Sequence, residues 1–472
     1  MIKSVSVIGL GKLGAPMAAC FASKGYQVLG VDADLRKVEA IRQGRSPVFE
    51  PHLPELLAAS NGRLRVTDDI EAAVMDTDVT FIVVATPSEL GGGFSLDYVL
   101  PVCERIAKAL HRKNDFHLVV LTSTVMPGST GGVVREALER ASGKCVGRDF
   151  GLCYNPEFIA LGSVVRDFLN PDFLLIGESE ARSGQVLEDI YRRICGNKPP
   201  VARLNFVNAE IAKLAVNTFV TTKISFANML ARICERMPGS SVDEVTKALG
   251  LDTRIGPKYL KGAISYGGPC FPRDNLALAA VARLVGAPAD IAQATDSFNR
   301  SQIRWLADFV QDSLSGRDLV GILGLTYKPY TDVTEEAAGF LLYRELVSRR
   351  VPVVAFDPAV TQSNSSGFRR SRTEVASSAA DCVRQADVVV ISTPWPEFSK
   401  IESGIWARPL APRVVIDCWR SFDFLRHISG IRYVCLGSGV PLTDIERPRV
   451  SPSREEFTQL PFDHLSAGGA TD

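Results

Sequence analysis

The sequence has no excess of either charge: lysine plus arginine equals aspartate plus glutamate, 53 each, in 472 residues. Nothing in that balance points to nucleic acid or an anionic membrane as a partner. It also lacks an apolar run long enough to span a bilayer, and its opening strand lacks the basic n-region and cleavage site of a secretory leader. Ten cysteines are present, but none forms a C-x-x-C pair or a regular spacing. That scatter argues against a disulfide framework and a structural zinc site, so no metal is expected and the thiols are expected reduced, in a cytoplasm. A chain of this length holds two or three domains, and its composition fits a large soluble enzyme.

What is present begins at the first strand. Val5-Ser6-Val7-Ile8 reads as a buried parallel strand and runs straight into Gly9-Leu10-Gly11-Lys12-Leu13-Gly14, followed by a helical pattern. In G-x-G-x-x-G the first glycine permits the tight turn, the second lets a pyrophosphate lie against the backbone, and the third lets helix and strand pack closely. A second strand, Gln27-Val28-Leu29-Gly30-Val31, ends in Asp32, where an acid binds a ribose diol and repels a 2′-phosphate. The expected cofactor is therefore NAD rather than NADP. Arg36 lies close enough to soften that preference, with a solvated helix charge as its alternative.

Three regions follow one another. Up to about residue 200, runs such as Val79-Thr80-Phe81-Ile82-Val83-Val84-Ala85 and Leu118-Val119-Val120-Leu121 alternate with helical stretches, the mark of a doubly wound parallel sheet. From Asn205 to about Arg300 the pattern is almost wholly helical and predicts a spine with a dimer contact. Strands return at 319–324, 351–357, 387–392 and 414–417. The expected architecture is two Rossmann-like doubly wound parallel-sheet domains joined by a central helical domain, with bounds 1–204, 205–300 and 301–445. Residues 363–372 read as a polar, arginine-bearing surface loop, and 446–472 as a disordered tail. A cleft lined by strand carboxyl ends is where such an architecture binds ligands.

The stretch Tyr266-Gly267-Gly268-Pro269-Cys270-Phe271-Pro272-Arg273-Asp274-Asn275 puts one cysteine at a glycine-floored turn, before an apolar helical pattern that starts at Leu276. Helix N-terminal amides favour a thiolate there, the glycines let a substrate approach the backbone, and Asp274 shares the helix face of Cys270. A small buried apolar residue is the alternative for a lone cysteine.

With these features in this order, the chain resembles the UDP-glucose/GDP-mannose 6-dehydrogenase family over nearly its whole length. Thr86-Pro87 resembles the family's cofactor-contacting Thr-Pro, Ser123-Thr124-Val125 its catalytic loop, and Asn155-Pro156-Glu157-Phe158 its Asn-Pro-Glu-Phe. Lys213 and Asn217 match its Lys-x-x-x-Asn, Arg254-Ile255-Gly256 its Arg-Ile-Gly, Cys270 and Asp274 its nucleophile and partner acid, and Lys328-Pro329 the start of its C-terminal nucleotide motif. The resemblance implies NAD-dependent oxidation of a nucleotide-sugar primary alcohol to the acid in two steps. The aldehyde stays on Cys270 as a thiohemiacetal, then a thioester that water releases; UDP-glucose to UDP-glucuronate is the leading reaction.

On the same resemblance Cys270, Lys213, Asn217, Asp274, Thr124 and Glu157 are catalytic. Gly9, Gly11, Lys12, Leu13, Gly14, Asp32, Thr86, Pro87, Ser123 and Thr124 hold the cofactor. Phe158, Lys213, Asn217, Arg254, Tyr259, Gly267, Gly268, Lys328 and Arg420 bind the nucleotide sugar, with Lys261 a further candidate. Lys213 and Asn217, i and i+4 on one helix, put ammonium and amide on one face, suited to an oxyanion. Asp274 orients or deprotonates a water at the C6 oxygen, and Thr124 supports it. A homodimer or higher homo-oligomer is implied, Arg254 in some members reaching the neighbouring subunit's site.

Structural alternatives remain open: an exposed helix face for Lys213 and Asn217, a strand end for Thr124, a helix C-cap for Arg254, a solvated loop charge for Lys328. Asp357, at a strand end of the second domain, fits ribose binding or N-capping equally. Two departures from the family pattern stand out. Leu161 occupies the position, four after Glu157, where most members carry a second glutamate thought to help water attack the thioester. Glu335 stands where the C-terminal motif has an arginine near the cofactor phosphates. The other functions left open are the same chemistry on GDP-mannose, a UDP-N-acetylhexosamine or a specialised nucleoside sugar; a two-electron β-hydroxyacid-type dehydrogenase; and a binding paralogue that has lost catalysis.

Overall fold

The computed structural model describes residues 2–60, 62–316, 318–360, 374–408 and 411–439. The loop expected at 363–372 and the tail expected after 446 lie outside the described residues. Strands β1 (Ser4–Ile8), β2 (Gln27–Val31), β3 (Leu64–Thr67), β4 (Val79–Ile82), β5 (Leu118–Leu121), β6 (Gly151–Tyr154), β7 (Leu174–Glu178) and β8 (Val201–Leu204) form an eight-stranded sheet in the order β3-β2-β1-β4-β5-β6-β7-β8. Val5 pairs with Val28 on one side and Val79 on the other. Apolar side chains of the central strands alternate between two cores: Leu118 and Val120 enter one, Val119 and Leu121 the other, all fully buried. Such two-sided burial is what a continuous apolar run means in a parallel sheet. Truncating Phe81, which has no exposed surface, to alanine would cost about 3–5 kcal/mol.

Two strands depart from the expected all-parallel sheet: β7 runs antiparallel to β6, and β8, parallel to β7, is reversed with it. After β6 the chain stays on the carboxyl-end rim through residues 155–163 and the short helix Val164–Leu169, then enters β7 from that same rim. With no crossover to the far edge, a parallel return is impossible. The rim segment thereby stays beside the ligand cleft.

The second sheet comprises β9 (Val320–Leu323), β10 (Val353–Phe356), β11 (Glu374–Val375), β12 (Val388–Ile391), β13 (Arg413–Asp417) and β14 (Ile431–Cys435), all parallel in the order β11-β10-β9-β12-β13-β14. Its order repeats that of the first six strands of the other sheet. The repeat extends to hydrogen bonds: Asp32 Oδ2 accepts Leu10 N at 2.7 Å after β1, and Asp357 Oδ2 accepts Leu325 N at 2.7 Å after β9.

Between the sheets lie the helices Phe206–Cys234, Val242–Leu251, Phe271–Leu284 and Asp290–Gln311. Asn205 caps the first by accepting Asn208 N at 2.9 Å. The expected boundary at 300/301 falls inside the last helix, which continues to Gln311. Arg232 joins these helices by stacking 3.4 Å from the centroid of the Trp305 ring and pairing with Glu235 at 2.8 Å. Among the described residues no helix is long and apolar enough to cross a membrane.

Candidate active site

A cleft of about 1410 Å³ opens at the carboxyl ends of the first sheet, against the central helices and the second domain. It brings together many of the residues singled out in the sequence: Gly11, Lys12, Leu13, Thr86, Pro87, Ser123, Thr124, Glu157, Phe158, Lys213, Asn217, Tyr259, Cys270 and Lys328 all line it.

The glycine loop divides its work as its spacing requires. Gly9 has φ 101°, and a Cβ there would lie 2.6 Å from Val83 O; one on Gly14 would lie 1.7 Å from Gly9 O. These two glycines permit close packing, whereas a Cβ on Gly11 would meet nothing within 4 Å. The open surface over Gly11 fits a pyrophosphate, so the residues present suit a dinucleotide. Asp32 is held by Leu10 N at 2.7 Å, Asp34 N at 2.8 Å and Lys37 Nζ at 3.1 Å. Lys37 escaped the sequence reading; its place five residues after Asp32 was the available signal. Arg36 turns away to Asp34 at 2.9 Å and is exposed, so it is the solvated helix charge. Thr86 Oγ1 donates to Thr124 O at 2.8 Å and Ser123 Oγ to Val84 O at 2.6 Å. Both hydroxyls stitch together the loops that leave β4 and β5.

Cys270 occupies the N-cap of the helix Phe271–Leu284, which begins five residues before the apolar pattern does. Pro272 in the first turn fixes that start, because its missing N–H is no loss there. The thiol is accessible from the cleft yet crowded by protein. Desolvation pushes its pKa up, the Lys213 ammonium opposes this and the Asp274 carboxylate adds to it. Burial thus works against the thiolate that the helix end was expected to favour.

Lys213 and Asn217 face the cleft from one side of the long helix and are 6 % and 7 % exposed. Ala215 between them is exposed, so one face of the helix is buried rather than its whole circumference. Lys213 Nζ donates to Glu157 O at 2.7 Å and sits 4.5 Å from the centroid of the Phe158 ring. Asn217 Nδ2 donates to Asp274 Oδ2 at 2.6 Å. Asp274 is 2 % exposed and lies behind Asn217 rather than on the cleft wall; desolvation raises its pKa, with Lys213 opposing. It reaches the cleft through that amide and through Arg273, whose Nε lies 3.9 Å from Asp274 Oδ1.

The rim segment after β6 supplies the opposite wall, where Phe158, Ile159, Ala160 and Leu161 give a run of apolar side chains. Glu157 is enclosed at its head, and desolvation raises its pKa to about 7 against the opposing Tyr191 hydrogen bond and Lys213 charge. Tyr191 donates to Glu157 Oε1 at 2.7 Å and also meets Asn155 Oδ1 at 2.5 Å. Its buried hydroxyl was not foreseen. A carboxyl that titrates near neutrality can move a proton in either direction.

From the second domain Lys328 enters the cleft, and Lys12 Nζ pairs with Asp332 Oδ1 at 2.5 Å. Glu335 is exposed, and its carbonyl accepts Gly268 N at 3.0 Å. Arg273, another residue the sequence reading missed, lines the cleft, donates to Thr86 O at 3.1 Å and lies 4.5 Å from the centroid of Phe94. Its nearness to Cys270 in sequence was the signal.

Several expected residues lie elsewhere. Gly267 and Gly268 make room for protein, not ligand: a Cβ on Gly267 would sit 2.1 Å from Glu336 O, and one on Gly268, at φ 85°, 3.0 Å from the Tyr327 ring. Arg254 is exposed and pairs with Asp252 at 2.6 Å, outside the cleft of the single chain. Arg420 is a strut: it pairs with Asp243 at 2.6 Å and donates to Leu436 O at 2.6 Å and Gly262 O at 2.7 Å. Lys261 is exposed and does not line the cleft. Asp357 is 2 % exposed and fully engaged by Leu325 N, Thr326 N, Ala359 N and Trp395 Nε1. Neither ribose binding nor N-capping describes it; it closes the loop after β9. Among the described residues no cluster of His, Cys, Asp and Glu could hold a metal ion.

Comparison with known proteins covers all three regions. Residues 3–195 match the NAD binding domain of the UDP-glucose/GDP-mannose dehydrogenase family, 207–301 its central domain and 321–424 its UDP binding domain. The chain is 37 % identical to a UDP-glucose 6-dehydrogenase of Haloferax volcanii over 88 % of its own length and 96 % of that protein. It is 33 % identical to a GDP-mannose 6-dehydrogenase of Azotobacter vinelandii, covering 85 % and 94 % of the two chains. The structure of a UDP-glucose dehydrogenase from Pyrobaculum islandicum superposes with a TM-score of 0.84 at 32 % identity, covering 93 % of this chain and 98 % of that one.

Proposed function

The chain belongs to the UDP-glucose/GDP-mannose dehydrogenase family and is an NAD-dependent nucleotide-sugar 6-dehydrogenase; from that premise we propose that it converts UDP-glucose to UDP-glucuronate, with Cys270 carrying the intermediate. The observation that carries this reading is the meeting of Cys270, Lys213 and Asn217 with the glycine loop in one cleft. The glycine loop at Gly11 would hold NAD, which would supply the hydride acceptor for each oxidation at C6. Lys213 and Asn217 stabilise the oxygen charge that develops at C6. The Cys270 sulfur then bonds to the aldehyde carbon to give a thiohemiacetal, loss of the second hydride oxidises it to a thioester, and water displaces the sulfur to release the acid. Asp274 fixes the Asn217 amide, Thr124 supports the water, and Glu157 takes its proton. Lys328, at the second-domain end of the cleft, meets the diphosphate.

The assembly we propose is a homodimer formed through the outer face of the long helix, where Ile211, Phe219, Phe226 and Ile233 are 40 %, 68 %, 47 % and 46 % exposed. Arg254, whose turn is tied to that helix by Lys223 Nζ donating to Ile255 O at 3.0 Å, then serves the neighbouring site. A reducing cytoplasm is supported by the cysteines, none of which is paired.

Incubation with NAD and a panel of nucleotide sugars, with products identified by mass, tests the substrate. UDP-glucose should give two NADH per molecule; one NADH would favour a two-electron dehydrogenase and none a binding paralogue. Cys270→Ser should bind NAD normally while losing the second oxidation by several orders of magnitude, since a serine oxygen is a far weaker nucleophile and a poorer leaving group than the cysteine sulfur.

A further inference from the structure

Glu50 is a buried carboxylate that the chemistry above leaves unused. It is 6 % exposed, and both of its oxygens are fixed by backbone amides: Oε2 accepts Gly162 N and Oε1 accepts Val164 N, each at 2.8 Å. Those amides follow directly after Leu161, at the end of the segment that lines the cleft wall. Gly162 is also where the second domain lands, for a Cβ on it, at φ 83°, would lie 2.4 Å from Tyr330 O. Two residues before Tyr330 stands Lys328, in the cleft.

The charges around Lys328 complete the picture. Burial pulls its pKa down, and it is opposed by Asp167 and Glu50, while Arg166 adds to the fall. From its own domain it meets the Tyr327 ring, 5.8 Å from the centroid. Asp167 already pairs with Arg166 at 2.9 Å and accepts Ser163 Oγ at 2.7 Å, so its charge is shared with a neighbouring guanidinium. No ion pair engages Glu50 among the described residues; burial raises its pKa, the Gly162 and Val164 amides and the Lys328 charge oppose the rise, and Asp167 adds to it. Its carboxylate is the unshared counter-charge.

We propose that Glu50 is a positioning residue for the nucleotide sugar: it fixes the wall segment on which the second domain docks and keeps Lys328 charged, so that the ammonium is presented to the diphosphate. The inference rests on the placement of the diphosphate at Lys328. It predicts a charge effect separable from a structural one. UDP binding needs protonated Lys328, so affinity is lost as pH rises through the lysine's pKa; removing a facing anion lowers that pKa further and moves the loss to lower pH.

The test is calorimetric titration of the full-length enzyme with UDP across the alkaline range. Glu50→Gln should move the alkaline fall in affinity down by roughly one pH unit. Glu50→Asp, which keeps the charge, should leave the fall at its wild-type pH even where the shorter side chain weakens binding throughout. Lys328→Met should weaken UDP binding about tenfold or more at neutral pH and abolish the alkaline fall. An unmoved alkaline fall in Glu50→Gln, with affinity lower evenly at every pH, would show a merely structural role and overturn the proposal. Wild-type UDP affinity in Lys328→Met would overturn the diphosphate placement itself, and the proposal with it.

Discussion

Lys12 Nζ lies 2.5 Å from Asp332 Oδ1, joining the glycine loop of the first domain to the loop of the second that follows Lys328. The pair is partly exposed, 40 % and 27 % at the two side chains, and such pairs contribute at most about 1 kcal/mol to stability. Its consequence lies in binding instead. A pyrophosphate over Gly11 competes with Asp332 for the Lys12 ammonium, the more so because Glu335 brings an anion to the adjoining loop.

Asp332→Asn should therefore tighten NAD binding about twofold to fivefold by freeing Lys12, and Lys12→Met should weaken it about tenfold, the scale of one charge-assisted contact. Fluorescence titration of both variants, at low and at high salt, reads the two effects. Equal NAD affinity in wild type and Lys12→Met would remove Lys12 from the cofactor site.

We propose that Asp32 sets the preference for NAD. With its carboxylate fixed by Leu10 N, Asp34 N and Lys37 Nζ, it offers acceptors to a ribose diol and repulsion to a 2′-phosphate. Like-charge juxtaposition of that kind costs several kcal/mol, so kcat/KM with NADP should be roughly a hundredfold or more below that with NAD. Asp32→Ser leaves Lys37 behind and should narrow the gap from both sides. Steady-state kinetics with the two cofactors decides it, and comparable efficiency in the wild type would refute the assignment.

Much of this site was legible in the sequence because local spacing dictates it. The tight turn at Gly9, the i and i+4 placement of Lys213 and Asn217, and the strand that delivers Asp32 each depend on a few neighbouring residues. What the spacing could not disclose was which surfaces meet. Gly267 and Gly268 look like a floor for substrate until the second domain's 335–337 loop and Tyr327 occupy that side. Arg420 looks like a free cation until Asp243 appears beside it from another domain. Glu50, Tyr191 and the antiparallel β7 were invisible for the same reason: each owes its role to chain more than 20 residues away. The thiol's upward shift likewise follows from burial, a property of the assembled cleft.

The ionisation of Cys270 can be read apart from turnover. Burial raises its pKa and the Asp274 carboxylate adds to the rise, so neutralising that carboxylate should lower it. In Asp274→Asn the pH midpoint of alkylation by iodoacetamide should move down, although oxidation slows because the Asn217 amide loses its anchor. Mass analysis confines the readout to Cys270, and Cys270→Ser removes it. A midpoint unchanged or raised in Asp274→Asn would mean that the carboxylate does not act on the thiol.

Leu161 bears on the last chemical step. It lines the cleft on an apolar wall with Phe158, Ile159 and Ala160 and cannot act as a base; in the mechanism proposed above Glu157 takes the proton of the water. With its pKa raised to about 7, Glu157 is largely protonated below that pH and becomes a competent base above it. Loss of general-base help slows a step by roughly a hundredfold or more, so thioester hydrolysis should limit turnover, most severely at low pH. The expected progress curve is a burst approaching two NADH per site followed by slow turnover, with an adduct on Cys270 in the intact-protein mass. Raising the pH through the Glu157 pKa should speed the slow phase, and Glu157→Gln should hold it slow at every pH. Leu161→Glu should raise steady-state turnover where the wall accepts a charge. A linear progress curve on UDP-glucose with no adduct would end the slow-hydrolysis account and leave Leu161 as a residue that selects the sugar.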